Sequence, residues 1–253
     1  NHTRMWFASI WIFTLGLPWE LGADFTYRHF VDGDPASNTL SWRWVGGLHT
    51  RGKTYLARPD NIAEHTGGRF KPKGLAREAI PLDEPLPPPA CPLRSAKVEA
   101  PEGPALLLQT EEDLHSESLP MERADIRGIL GCHATRDRSD FEVSEHALRF
   151  GEGALADGLS RASIEFGVAS ESVERLAGEL LVQKCRALGV DHIVTAFLPV
   201  GPMAEQIAAA RPALEKAGIS LIEIRREEDS LIWPHATKGF FGLRERIPEL
   251  LGK

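Results

Sequence analysis

The sequence predicts an α+β protein: an all-helical portion over residues 1–70, then an α/β, Rossmann-like three-layer domain over residues 105–253. Three observations carry that reading. Five of the six tryptophans (Trp6, Trp11, Trp19, Trp42, Trp44) fall in the first 70 residues, among apolar runs of helical length. Nine of the eighteen prolines fall in 71–104, including Pro87-Pro88-Pro89, so that stretch cannot be regular helix or central strand and reads as a partly extended linker. From Ala105 onward, short apolar runs alternate with longer amphipathic ones, the pattern of a mostly parallel sheet with helices outside.

In the first portion, Met5 to Leu17 is almost wholly apolar and is stopped by Gly16 and Pro18. With Arg4 in front it also has the outline of a signal-peptide core. The bulky Trp6, Phe7, Trp11 and Phe13 argue against that, and the run is too short to span a bilayer. A helix apolar on all sides is more simply one buried in a larger protein. Glu20 to Val31 is a second helix, with Leu21, Phe25 and Phe30 roughly on one face. Asp32-Gly33-Asp34-Pro35 is a turn, and Pro35 suits a first helical position. Ala36 to Val45 is a third helix, stopped at Gly46-Gly47.

In the last portion, Ala105–Leu108 and Ile126–Leu130 have strand length. Val143 to Phe166 is a broken helical pattern. Ser170 to Leu188 reads as one amphipathic helix with Val173, Leu176, Leu180, Leu181 and Cys185 inward. His192–Leu198 is a strand, Met203–Ala217 a helix, Ile219–Ile224 a strand and Gly239–Leu251 a closing helix. The echo of His133-Ala-Thr-Arg136 in His235-Ala-Thr-Lys238 reads as chance.

A chain of 253 residues is long enough for one large domain or two ordinary ones. Hydrophobic residues at 42% and charged residues at 26% exclude a disordered or fibrous protein. A formal net charge of -7 excludes a uniformly basic nucleic-acid coat and leaves room for a local basic patch. Cys91, Cys132 and Cys185 lie far apart, with no CxxC and no Cys/His pair at metal spacing. That fits a reducing, cytoplasmic setting without a metal site. His133, His192 and His235 read as structural or surface residues. The chain starts at Asn1, not methionine, and is expected to be cut from something longer.

Gly47-Leu-His-Thr-Arg-Gly52-Lys53-Thr54 satisfies the letters of the phosphate loop G-x-x-x-x-G-K-[ST] and opens a nucleotide-hydrolase reading. The context opposes it. Ser41-Trp-Arg-Trp44 is not a buried strand, and Pro59 interrupts any long helix after Thr54. Residues 41–59 hold Arg43, Arg51, Lys53 and Arg58 with no acidic residue, a local charge suited to phosphate contact or simply to a solvated loop.

Asp32 to Trp44, DGDPASNTLSWRW, is more specific. It resembles the flavin-binding core of the DNA photolyase and cryptochrome family, where DGD-x-A-[SA]-N, a short spacer and W-x-W lie against the FAD isoalloxazine. Asn1-His-Thr-Arg4-Met5 resembles the family's HN-x-x-RM helix start, less its leading His. The resemblance is dense over residues 1–70.

The resemblance implies the following roles. Asp32 pairs with Arg4, a buried pair locking two helices beside the cofactor. Asp34 lies close to the flavin ring and its ribityl side. Asn38 faces flavin N5, where an amide can both donate and accept. Asn favours the photolyase side of the family. Asn1 contacts the cofactor. Trp42 is the tryptophan nearest the flavin in an electron-transfer chain, and Trp19 is the next. Met5 and Trp44 line the pocket for a flipped pyrimidine dimer. Arg43, Arg51 and Lys53 fall where the family places a surface near DNA. Each lone tryptophan or methionine would otherwise read as core packing; it is their joint spacing that argues for a site.

The family's phosphate-cradling segment and its third chain tryptophan are expected upstream of Asn1. Residues 176–251 loosely resemble the family's antenna domain through Ile193–Gly201 and Trp233–Phe240, and they equally fit an unrelated Rossmann-like module. The sequence does not name the antenna chromophore that such a domain could hold. Gly201-Pro-Met, at a strand end, sits where parallel sheets place a ligand crevice. The expected function of the intact protein is that of a deoxyribodipyrimidine photolyase: blue-light-driven electron transfer from reduced FAD to pyrimidine dimers in DNA. This chain alone is expected to be inactive. The alternatives are a cryptochrome-like photoreceptor without repair and the nucleotide hydrolase. No membrane partner is expected.

Overall fold

A computed structural model describes residues 1–86, 89, 91–237 and 240–252. Pro87 and Pro88 of the expected linker lie outside the described residues, as do Lys238 and Gly239, where the echo motif ends and the last helix was expected to begin. Contacts divide the chain into two units, 1–87 with 135–148, and 88–134 with 149–253.

In the first unit the regular elements of residues 1–86 are helical. Helix α1, His2–Ser9, runs on into a π-helical turn, Ile10–Thr14. There the Leu15 amide donates to Ile10 O at 2.9 Å and the Leu17 amide to Trp11 O at 3.1 Å, wider than the α-helical step. The helix expected over Met5–Leu17 thus begins earlier and stops sooner, and Leu15 and Leu17 are exposed.

Helix α2, Trp19–His29, follows Pro18. Its buried face is not the apolar one of Leu21 and Phe25. Leu21 and Phe25 are exposed, at 52% and 36%, while Gly22, Ala23 and Thr26 are buried. The cause is Trp42, whose ring lies so close that a Cβ on Gly22 would come within 2.2 Å of it. Helix α3, Pro35–Val45, starts as read: Asp34 Oδ1 accepts from the Ser37 amide and Pro35 is the first helical residue. It ends at Gly46. Helix α4, Pro59–His65, opens on the same Pro59 that argued against a helix after Thr54.

Two apolar clusters hold this unit. Ala8, Ile12, Ala23, Trp42 and Val45 form one, with Phe7, Trp11, Trp19 and Leu82 against it. Trp6, Ala57 and Ile62 form the other, with Leu75. Part of the proline-rich stretch is therefore a strap on this unit: the Ala76 amide donates to Thr14 Oγ1 and the Leu82 amide to Gly46 O. Residues 135–148, read from sequence as part of the α/β domain, also pack here. The Arg28 guanidinium donates to Glu142 O, the Ser144 amide to Arg28 O and the Arg138 guanidinium to Phe30 O.

The second unit carries a five-stranded parallel sheet, order β3-β2-β1-β4-β5. The strands are β1 (Gly103–Thr110), β2 (Ala124–Cys132), β3 (Ser170–Val173), β4 (His192–Ala196) and β5 (Ser220–Ile224). Alternation along β1 fills two layers. Leu106 and Leu108 join Leu181, Cys185, Ile207 and Leu214 of helices α6 (Gly178–Leu188) and α7 (Pro202–Ala217). Ala105 and Leu107 join Leu155, Leu159 and Ala162 of α5 (Glu145–Phe166). Two short helical segments follow, α8 (Glu227–Ile232) and α9 (Phe240–Leu250).

Two expectations fail here. Val143–Phe166 is one unbroken helix from Glu145, despite its glycines. Ser170–Leu188 is not one helix: Ser170–Val173 is an edge strand paired with β2, and the helix starts at Gly178. Residues 94–100 strap this unit, with Lys97 bridging to Ile224 at the sheet edge and the Ala100 amide donating to Pro120 O.

Candidate functional site

Where α1, α2 and α3 meet, the first unit encloses a cavity of about 620 Å³. Asn1, Arg4, Met5, Asp32, Asp34, Asn38, Trp42 and Trp44 line it together, with Thr26, Phe30 and His49 among their neighbours. Trp19, Arg43, Arg51 and Lys53 do not line it. In chain order the lining residues come from the start of α1, the α2–α3 turn and one side of α3.

Arg4 holds Asp32 with two hydrogen bonds from Nη2, 2.9 and 2.8 Å, and its guanidinium lies 4.4 Å from the Phe30 ring centroid. The pair is not buried as expected: the side chains are 51% and 61% exposed, because it sits at the rim of the cavity. Asp34 spends Oδ1 on the α3 amide of Ser37, so it caps the helix while facing the cavity.

Asn38 is held in one orientation. Its Nδ2 donates to Ala23 O at 2.8 Å, and its Oδ1 accepts from Thr26 Oγ1 at 2.8 Å. A carbonyl can only accept, so the amide nitrogen must face Ala23. One amide hydrogen and one lone pair then remain for a ligand. Thr26 Oγ1 also accepts from Trp42 Nε1 at 2.9 Å. Trp42 and Asn38 are therefore joined through a buried hydroxyl that no sequence motif singled out. Trp42 is 4% exposed and meets Phe7 and Trp11 edge-on, at centroid separations of 6.0 and 6.3 Å. Trp44 is 41% exposed and stacks on Tyr55.

These residues fit a flat ring system with polar edges. Trp42 supplies an aromatic wall and Asn38 offers both a donor and an acceptor. Arg4 and Asp32 carry the charged rim.

Trp19 packs against the same apolar cluster as Trp42. Its Nε1 donates to Glu84 Oε1 at 2.6 Å, and Arg43 lies 5.5 Å from its ring centroid while pairing with Glu84 at 2.7 Å. Burial opposes ionisation of Glu84, but hydrogen bonds from Arg43 and Trp19 and the Arg43 charge hold its carboxyl below the usual range. Arg51 donates to Glu84 O and lies 3.7 Å from Asp83. The basic stretch 41–59, acid-free in sequence, thus receives its acids from the 75–84 strap. Lys53 and Arg58 are exposed.

The phosphate-loop reading fails on geometry. Gly47–Thr54 follows a helix, not a strand, and its amides are already used: Leu48 and His49 donate to Arg43 O, Gly52 to Gly47 O and Lys53 to Thr50 O. None of those donors is left to curl around a phosphate.

A second cavity, about 730 Å³, lies in the second unit between α5 and β3, lined by His133, Glu152, Ser160, Ser163, Ser172 and Glu174 among others. None of the candidate site residues lines it. Among the described residues there is no cluster of three metal-ligating side chains, and no helix is long and apolar enough to cross a membrane.

Comparison with known proteins finds matches over the part of the chain that carries the first cavity. Residues 1–75 match the model of the FAD binding domain of DNA photolyase. The chain is also 34% identical over 113 residues to a deoxyribodipyrimidine photo-lyase of Streptomyces griseus, covering 34% of this chain and 24% of that relative. The chain thus spans about a quarter of the length of the relative it matches. Over residues 1–75 the chain is therefore similar to the FAD-binding domain of DNA photolyase.

Proposed function

We propose that this chain is part of a flavin-dependent photolyase that repairs pyrimidine dimers in DNA under blue light. The observation that carries the reading is the convergence of Asn1, Arg4, Met5, Asp32, Asp34, Asn38, Trp42 and Trp44 on one cavity. Reduced FAD, when bound, supplies the photoexcited electron. Asn38 orients the ring edge through its remaining donor and acceptor. Arg4 and Asp32 brace the rim, and Asp34 fixes the start of α3 beside it. Trp42 passes electrons toward the pocket from the protein side, with Trp19 as the next member. Met5 and Trp44 flank a flat, apolar base pair taken out of the stack. The phosphate contacts are assigned to Arg51 and Lys53. Arg43 is left out, since it is half-buried on Glu84 at 2.7 Å, whereas Arg51 stays exposed beside Asp83 at 3.7 Å.

The test is illumination of a dimer-containing oligonucleotide with reduced FAD and the whole photolyase to which this reading assigns the chain. The reading expects loss of dimers in blue light and none in the dark. FAD binding without light-driven loss of dimers would replace it with the photoreceptor reading.

A further inference from the structure

The family match stops at residue 75, yet the turn carrying Asp32 and Asp34 is held by residues from much later in the chain. The Arg138 guanidinium donates through Nη1 to Phe30 O at 2.7 Å and lies 5.4 Å from the Tyr27 ring centroid. Phe30 O also accepts from the Gly33 amide at 3.2 Å, so one carbonyl closes the turn and receives the arginine. Gly33 has no room for a side chain: a Cβ would come within 2.8 Å of Arg138 Nη1 and 2.7 Å of Tyr27 O. Beside this contact, Arg28 donates to Glu142 O at 2.8 Å, the Ser144 amide donates to Arg28 O at 3.0 Å and the Arg28 guanidinium lies 5.6 Å from the Phe141 ring. Residues 138–144 therefore grip the end of α2 and the first half of the turn. Phe30, Asp32, Gly33 and Asp34 all line the cavity.

We propose that residues 138–144 are an arm of the ligand pocket and that Arg138 is a positioning residue, fixing the Phe30–Gly33 turn so that Asp32 and Asp34 face the cavity. The consequence for flavin binding rests on the reading given above. Without Arg138, the Phe30 carbonyl keeps only the Gly33 amide; Asp32 stays paired with Arg4 and Asp34 stays on the Ser37 amide, but the backbone that carries the two carboxylates is less firmly held. A ligand then bears the cost of ordering them. The residue acts through backbone and needs no contact with the ligand.

Two readouts on the full 253-residue chain test this, using Arg138→Ala, Arg138→Lys and Gly33→Ala. Amide hydrogen exchange over residues 30–38 should quicken about tenfold in R138A and G33A, while exchange in the β1–β2 core stays unchanged. FAD affinity, followed by flavin fluorescence, should fall about tenfold in the same variants and recover in part in R138K, which can still donate to Phe30 O. Unchanged exchange at the turn in R138A overturns the proposal. So does faster exchange with undiminished FAD affinity. If the parent chain binds no FAD, the flavin reading fails by itself, and exchange at the turn alone decides whether Arg138 holds it.

Discussion

The Trp42 indole lies directly on Gly22, closer than any side chain at that position would allow. That contact brings α2 and α3 together, turns Thr26 toward Trp42 Nε1 and so sets the orientation of Asn38. The cavity wall is thus built by an absent side chain as much as by the residues that line it.

Gly22→Ala should destabilise the first unit by about 1–3 kcal/mol, the usual cost of overpacking a close contact. Urea unfolding monitored by tryptophan fluorescence measures it. A stability equal to the parent would mean that α2 and α3 are free to separate.

Thr26→Val keeps the shape but leaves Trp42 Nε1 without its acceptor and Asn38 Oδ1 without its donor. A loss of about 1–3 kcal/mol is expected, with Thr26→Ser close to the parent. Equal losses in both variants would show that packing, not the hydroxyl, matters there.

In the whole protein to which the proposed function assigns this chain, Trp42→Phe should slow photoreduction of bound flavin without abolishing FAD binding. Transient absorption after a blue flash reads the rate. A rate unchanged from the parent would remove Trp42 from the electron route.

Glu223 ties β5 to Arg94, Arg211 and the Leu198 amide. Its burial opposes ionisation, but hydrogen bonds from Arg94 and Leu198 and the charges of both arginines hold its carboxyl below the ordinary 4.5. A carboxyl depressed in the folded state stabilises fully above its unfolded value, and that contribution is lost as pH falls through the folded one. Unfolding free energy of the second unit should drop on acidification below about 4.5, less steeply in Glu223→Gln. Parallel pH profiles for the two proteins would contradict this.

Thiol reactivity should split. Burial, with the Asp191 charge, pushes the Cys185 thiol up to about 11, and Cys132 is fully buried, whereas Cys91 is exposed. A thiol reagent should find one fast group in the native chain, abolished in Cys91→Ser, and the other two only on unfolding.

What the sequence made legible is what neighbours in the chain decide. Asp34 caps the helix that Pro35 opens, and the residues from Asp32 to Trp44 need only that turn and α3 to converge. Arg4 and Asp32 were legible through the family pattern, but not their place at an exposed rim. The inner face of α2 is not legible locally, because Leu21 and Phe25 outweigh Gly22 in hydrophobicity, while the packing follows where Trp42 fits. Strand β3 was missed because Ser-Glu-Ser-Val carries no apolar run; its pairing with β2 creates it. The acids that meet Arg43 and Arg51 come from a strap about thirty to forty residues on, and Arg138 from over a hundred, so no local pattern announces either.

The most direct test of the central claim is titration of this chain with FAD, reading flavin fluorescence against the tryptophans. Saturable binding of one FAD per chain, weakened about tenfold by Asn38→Ala, is the predicted result. No saturable binding, or binding indifferent to Asn38→Ala, would contradict the assignment of the cavity among α1, α2 and α3 as the flavin site.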